Sequence, residues 1–160
     1  MIVPKYLQEF LSVGTNKKLS NITSGTLTCC NTNKFKVLIS GLIKSGIWGK
    51  PHFQQDENGL AVLCKCAICG REILAFDNKI HGYDACTETE DVKSAVHNYH
   101  AFSCTKCHHD TFCIKIAFEY SPEEDTNDVE LSNEFSWIWC SMTCSSCGKQ
   151  FKRILDYETG

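Results

Sequence analysis

Hydrophobic and polar positions alternate most cleanly in the last third of the chain. Phe112, Ile114, Ile116, Phe118 and Tyr120 fall on one face of a strand, with Cys113, Lys115, Ala117 and Glu119 on the other. A polar, acidic loop over residues 121–133 leads to a second strand. Its faces carry Phe135, Trp137 and Trp139 on one side and Ile138, Cys140 and Met142 on the other. The aromatic stripe reads as core ahead of a base-stacking platform. A third strand runs from Phe151 to Tyr157. Upstream, Phe35, Val37 and Ile39 alternate with polar and apolar partners until Gly41. His52–Asp56 and Leu60–Lys65 flank Asn58–Gly59, a dipeptide suited to a tight hairpin. Arg71–Phe76 and Tyr99–Ser103 read as further short strands. Helical spacing is confined to the N-terminus, where Tyr6, Leu7, Phe10 and Leu11 share one face of a short helix starting near Pro4. Residues 14–26 read as loop, and residues 87–95 as an acidic, exposed stretch.

Cysteines add chemistry to this strand pattern. Three Cys-x-x-Cys pairs occur: Cys66/Cys69, Cys104/Cys107 and Cys144/Cys147. Two intervening residues let the backbone turn so that both sulfurs face one point, and two such claws complete a tetrahedral thiolate site. Gly70 and Gly148 follow the outer two claws, where backbone amides must approach the sulfurs closely. The longer strands around the downstream pairing favour a zinc site of Cys104, Cys107, Cys144 and Cys147. Pairing of Cys66/Cys69 with the central claw is the alternative. If Cys66 and Cys69 hold a second zinc, further ligands come from Cys64, His81, Cys86, His97 or His100. Cys29 and Cys30 are adjacent and read as strand residues, and Cys113 and Cys140 as small buried thiols. His108 and His109 read as surface residues or donors to the thiolates.

Composition narrows the function. The chain has 160 residues, 12 of them Cys, and no apolar run near the ~20 residues of a membrane span. Residues 1–13 lack the apolar core of an export signal. Cysteines in such a chain read as metal ligands in a reducing cytoplasm rather than disulfides. The formal net charge is −3, which disfavours sequence-independent nucleic-acid binding. No His-Glu-x-x-His, deaminase-type His-x-Glu, Gly-x-Ser-x-Gly, phosphate loop or dinucleotide fingerprint is present. A four-thiolate site also leaves no open position for catalysis. No claw is followed by a helical pattern of the kind that activates a redox thiol.

The order claw, strand, loop, strand, claw, strand in residues 104–160 resembles the zinc-ribbon superfamily with its rubredoxin-like knuckles. The segment is similar to the ribbons of transcription elongation factors and small RNA-polymerase subunits. Those place an acidic hairpin between the claws, as Glu123–Glu124–Asp125 stands here, and an aromatic after the second claw, as Phe151 does. It departs from them in lacking the basic residue beside the acidic pair and in its longer loop.

These readings predict a mainly β, small α+β fold. A zinc-ribbon sheet with Cys-x-x-Cys knuckles occupies residues 104–160 and a knuckle-containing segment residues 66–103. Residues 1–65 form a β-rich lobe with a short N-terminal helix. The expected function is that of a non-catalytic zinc protein serving as a protein-interaction module, similar in general make-up to small bacterial regulatory or immunity-type proteins. A nucleic-acid-binding or transcription-associated ribbon is the alternative. The expected partner is a protein, with no membrane.

Overall fold

A computed structural model of the chain describes residues 2–14, 21–86, 96–121 and 133–160, apart from the side chains of Asp84 and Cys86. The predicted acidic segment 87–95 and most of the acidic loop 121–133, including Glu123–Glu124–Asp125, lie outside the described residues.

The described chain is mostly β. Its strands are β1 (Leu11–Val13), β2 (Ile22–Leu27), β3 (Phe35–Ser40), β4 (Leu42–Ser45), β5 (Pro51–Gln54), β6 (Ala61–Cys66), β7 (Glu72–Asp77), β8 (His100–Ala101), β9 (Thr111–Glu119), β10 (Trp137–Cys144) and β11 (Gln150–Glu158). Nine of them form one curled antiparallel sheet, while β4 and β5 pair as a separate hairpin. Among the described residues, no helix is long and apolar enough to cross a membrane.

Strand β9 is where the sheet divides. On one edge it pairs with β10 along nearly its whole length, from Trp137↔Glu119 to Cys144↔Phe112. Its other edge is shared. β2 takes the far half, from Ile22↔Glu119 to Thr26↔Lys115, and β3 takes the near end at Phe35↔Phe112 and Lys36↔Thr111. Residues 22–36 therefore run along β9 as one interrupted strand, and residues 28–34 leave the ladder between its two parts. One wing continues through β10 to β11, the other through β3 to β6 and β7.

Period-two burial carries the core. Phe112, Ile114, Ile116 and Phe118 of β9 face Ile138, Cys140 and Met142 of β10 and Phe35, Val37 and Ile39 of β3 in one cluster. One register row crosses four strands as Cys66–Phe35–Phe112–Cys144, all buried. At about 4.8 Å per strand, its two cysteines stand roughly 15 Å apart.

Two fold expectations are corrected. The N-terminal helix is absent: Lys5–Leu7 is a single 3-10 turn, after which the chain extends into β1. The apolar pair Leu7 and Leu11 suits a helix face, but here the turn buries Leu7 and the strand buries Leu11. Nor do β9–β11 stand as a zinc-ribbon sheet. The second edge of β9 is paired with β2 and β3, so these strands are part of the larger curled sheet.

Smaller differences follow from tertiary pairing. β2 lies largely within the stretch read as loop, because two of its three buried positions are Thr23 and Gly25 rather than large apolar residues. Asn58–Gly59 does make a turn, closed by reciprocal Asp56–Gly59 backbone bonds of 3.1 Å. The strand before that turn, β5, pairs with β4 instead of β6. On β10 the core face is Ile138, Cys140 and Met142. Trp137 and Trp139 lie half-buried on the outer face, and only Phe135 of the aromatic stripe is core.

Candidate metal centres

Three turns with the same hydrogen bonds present the claws. In each, the carbonyl of the first cysteine accepts the N–H four residues on: Gly70 to Cys66 (3.0 Å), His108 to Cys104 (2.8 Å) and Gly148 to Cys144 (3.0 Å). The first cysteine's own N–H donates to the carbonyl five residues on, at Arg71, His109 and Lys149. This closure requires a left-handed residue at the fourth position. Gly70 (φ 72°) and Gly148 (φ 72°) supply it freely, and His108 (φ 61°) supplies it with a side chain.

The central and last turns together form one quartet. Cys104 Sγ lies 3.6 Å from Cys147 Sγ, and Cys107 Sγ lies 3.6 Å from Cys144 Sγ. All four sulfurs fall within 4.8 Å of one another. Such separations are far beyond the ~2.05 Å of a disulfide. They approach the edge of a tetrahedron with metal–sulfur bonds of ~2.3 Å, which is about 3.8 Å. Cys104 and Cys144 are buried while Cys107 is exposed. Ser145 N–H donates to the Thr111 carbonyl (3.0 Å), tying the last turn to the start of β9.

The first turn joins a second quartet that sequence reasoning missed. Its partners are Cys29 and Cys30, again with all four sulfurs within 4.8 Å. Cys29 Sγ lies 3.7 Å from both Cys30 Sγ and Cys69 Sγ. Adjacent cysteines on a strand would face opposite ways. Here they sit on a tight reversal instead. Cys29 and Thr32 exchange both backbone bonds at 2.9 Å, with Cys30 (φ 52°) and Asn31 (φ 57°) left-handed between them. These are the backbone angles of a type I′ turn. The turn is the tip of the excursion that separates β2 from β3. The sequence signal was Asn31, a residue that tolerates left-handed backbone, placed directly after the cysteine pair.

Residues proposed as extra ligands for Cys66 and Cys69 are elsewhere. Cys64 is fully buried in the core opposite Val37. His81 Nδ1 accepts the Asp77 N–H (3.1 Å), and its ring stacks on Tyr6 at 3.8 Å. His97 Nε2 lies 2.7 Å from Asp77 Oδ2. His100 is exposed on β8. The Cys86 side chain lies outside the described residues. Cys140 is buried, and that burial pushes its thiol up to about 12; Cys113 is half-buried.

Electrostatics within the quartets suit a divalent cation. Burial pushes the Cys104 thiol up, but the N–H groups of Cys107 and Lys106 outweigh it and bring the thiol to about 7. The Lys149 N–H lowers Cys147, yet burial and the neighbouring sulfurs prevail and leave it at about 11. In the other quartet the Arg71 N–H, 3.4 Å from Cys69 Sγ, brings that thiol to about 7. Burial, with Cys69 and Cys30 beside it, pushes Cys29 to about 12. Each quartet thus contains a thiol that ionises near neutrality beside one that resists, since clustered like charges oppose one another. A bound cation removes that opposition, and metal uptake displaces the protons. All-thiolate donor sets of four suit zinc or iron.

The quartets differ in access. Cys29/Cys30/Cys66/Cys69 opens onto a groove of about 1060 Å³ lined by Glu9, Phe10, Asn31 and Arg71. Cys30 and Cys69 are both exposed there, whereas the other quartet exposes Cys107 alone.

The architecture defines a β protein with two four-cysteine clusters that fit metal sites. No family model matches the chain, and neither a curated protein nor a solved structure matches it. The resemblance to a zinc-ribbon family is therefore supported only as far as the two quartets themselves.

Proposed function

We propose that this is a non-catalytic binding protein whose sheet is held in shape by two structural zinc ions, one in each cysteine quartet. The observation that carries the reading is the pair of complete sulfur quartets at the two ends of the Cys66–Phe35–Phe112–Cys144 row. Four thiolates satisfy zinc's preferred tetrahedron and leave no position for a substrate. Zinc also suits a reducing compartment better than disulfides would, because sulfurs 3.6–3.7 Å apart are not bonded to one another.

Binding, rather than catalysis, is supported by the surface. Leu42, Ile43, Ile47 and Trp48 of the β4–β5 hairpin are all exposed, a concentration of apolar surface typical of contact sites. The net charge of −3 that favours a protein partner is an average over the chain. Eight of its 19 acidic residues fall in residues 87–95 and 122–132.

Metal analysis of the full chain, combined with thiol titration, tests the reading. Two zincs per chain and eight thiols that react only after chelation are the expected result. Absence of metal with oxidised thiols would overturn it, and one zinc per chain would remove one of the two centres.

A further inference from the structure

We propose that the end of the molecule formed by the β4–β5 hairpin and β11 binds single-stranded nucleic acid, with Trp48 as a base-stacking residue. The proposal names the partner for the binding reading above and rests on it.

Trp48 is 92 % exposed and Ile47 82 % exposed at the hairpin tip. Trp48 is also left-handed (φ 65°), an uncommon conformation for a bulky side chain. Backbone bonds from Gly46 N–H to the Lys50 carbonyl (2.7 Å) and from Gly49 N–H to the Gly46 carbonyl (3.1 Å) hold it there. The fold thus maintains a strained backbone in order to present an indole to solvent. Strain of this kind, kept in place by surrounding bonds, points to use of the side chain.

Behind the indole is a cleft of about 420 Å³ lined by Trp48, Lys50, Pro51, Lys149, Phe151 and Lys152. That volume suits one small planar ligand. Among the described residues, its lining includes three lysines and no carboxylate. Lys149 Nζ lies 5.3 Å from the Phe151 ring centroid and donates to Thr105 Oγ1 at 2.7 Å, which anchors this cation to the central knuckle.

The cationic surface continues past the cleft. β11 is bulged against β10 between Cys140 and Met142, and Arg153 (φ 48°) is left-handed at the bulge. Three residues of β11, 152–154, stand opposite Ser141 there, and the two extra residues turn Lys152 and Arg153 outward together, although neighbours on a regular strand face opposite ways. Lys152 lines the cleft, and the Arg153 guanidinium lies 4.7 Å from the Trp139 ring centroid. Trp137 stacks beside Trp139 at 6.0 Å and 22°. A second depression of about 310 Å³ adds Lys115 beside Trp139 and Arg153, again with no carboxylate among the described residues of its lining. Asp156 stands nearby, accepting from Trp137 Nε1 (2.6 Å) and pairing with Arg153 (3.5 Å).

The two depressions adjoin through the consecutive residues Lys152 and Arg153, so Trp48 and Trp139 stand in neighbouring hollows lined by Lys50, Lys149, Lys152, Arg153 and Lys115, and Trp137 stacks on Trp139. Flat rings interleaved with cations match a strand of unstacked bases and phosphates. A duplex keeps its bases stacked on one another and would leave the exposed indole without a partner.

The test uses the full chain with its metal content measured on the same samples. A fluorescein-labelled 20-mer of deoxythymidine is titrated by anisotropy between 50 and 200 mM KCl, and tryptophan quenching is read in parallel. Five phosphate contacts at about 0.7 ions each give a log–log salt slope near −3.5, about a hundredfold loss of affinity over that range. Trp48→Ala should weaken binding about tenfold without changing metal content. Lys50→Ala with Lys152→Ala should flatten the slope by about 1.4. The proposal is overturned by absence of binding at 50 mM KCl when both metals are present, by equal affinity for duplex, or by an unaffected Trp48→Ala. Equal or tighter binding to phosphatidylserine vesicles would assign the tip to a membrane, and to poly-glutamate, to an acidic protein. A sample without metal that still binds the oligonucleotide would sink the zinc reading and leave this one standing.

Discussion

Replacing Cys30 by alanine separates the second quartet from every other role of these residues. Cys30 is exposed at the tip of the 28–34 excursion, so its removal leaves no core cavity. It shares no strand ladder, and Asn31 remains to support the turn. The change should therefore remove one ligand and little else. Structural zinc contributes ~10–16 kcal/mol of apparent binding energy in zinc-finger peptides. One thiolate of four corresponds to about 2.5–4 kcal/mol, or a 10²–10³-fold loss of affinity at that site. Competition with a chromophoric chelator reads this directly. The wild-type chain should resist release of two zincs, and the Cys30→Ala chain should surrender one early and keep the other. Cys64→Ala is the comparison. Cys64 neighbours Cys66 in sequence but lies fully buried in the core, outside the quartet. That variant should lose about 1–2 kcal/mol of stability from packing and keep both metals. Unchanged zinc affinity in Cys30→Ala, or loss of a zinc in Cys64→Ala, would refute the assignment of ligands.

Further outcomes follow from the same geometry. Burial, only partly countered by Asp77, lowers His81 from 6.5 to about 4, so the unfolded chain takes up its proton first as pH falls. Stability should drop by about 3 kcal/mol between pH 6.5 and 4, and denaturant titrations of His81→Phe should lack that share of the pH dependence. Gly148 has φ 72° and open space where a Cβ would stand, so Gly148→Ala should cost about 1 kcal/mol from backbone strain alone. His108→Gly, relieving φ 61° in the equivalent turn, should change stability in the opposite direction, as read by thermal melts. Phe112→Ala should cost about 3–5 kcal/mol and loosen zinc in both quartets, because the ring lies in the row between Cys66 and Cys144.

Local chemistry was legible where the deciding contacts are local. Period-two burial on β3 and β9 follows the sequence pattern, because each of those strands has one buried and one outer face. The knuckles at Cys66, Cys104 and Cys144 follow from spacing, which needs only a few residues to close. What stayed hidden depended on distant partners. β2 is held by the edge of β9, from which it is separated by about ninety residues, and its Thr23 and Gly25 give no hydrophobic signal. The helix predicted at Pro4 competes with pairing of Leu11–Val13 to β2, a contact that periodicity cannot weigh. Trp137 and Trp139 alternate as a core stripe would. Their face was decided by Ile138, Cys140 and Met142, which pack inward against β9. Adjacent cysteines such as Cys29 and Cys30 do not easily chelate one ion, and so read as strand residues. That rule fails once Cys30 and Asn31 adopt left-handed angles, and the turn that does this exists because residues 28–34 must leave the edge of β9.

The position of the two quartets gives a physical reason for this sheet to hold two metals. Where β2 ends and β3 begins, β9 changes partners, and the ladder along its edge is interrupted between Lys115 and Phe112. A strand edge that loses its partner is where a sheet opens most easily, since the hydrogen bonds that would resist opening are absent there. A metal in the first quartet would bind the excursion at that gap to the end of β6 through Cys66. A metal in the second would bind the segment that enters β9 to the end of β10 through Cys144. Between them the Phe35–Phe112 contact fills the row, so each metal would brace one side of the same weak junction. Removing either one should open the sheet at that point before the outer ends of β2 and β10. Amide exchange would show this as early loss of protection at Phe35, Lys36 and Phe112, while the Ile22–Ser24 and Trp137–Trp139 amides remain protected.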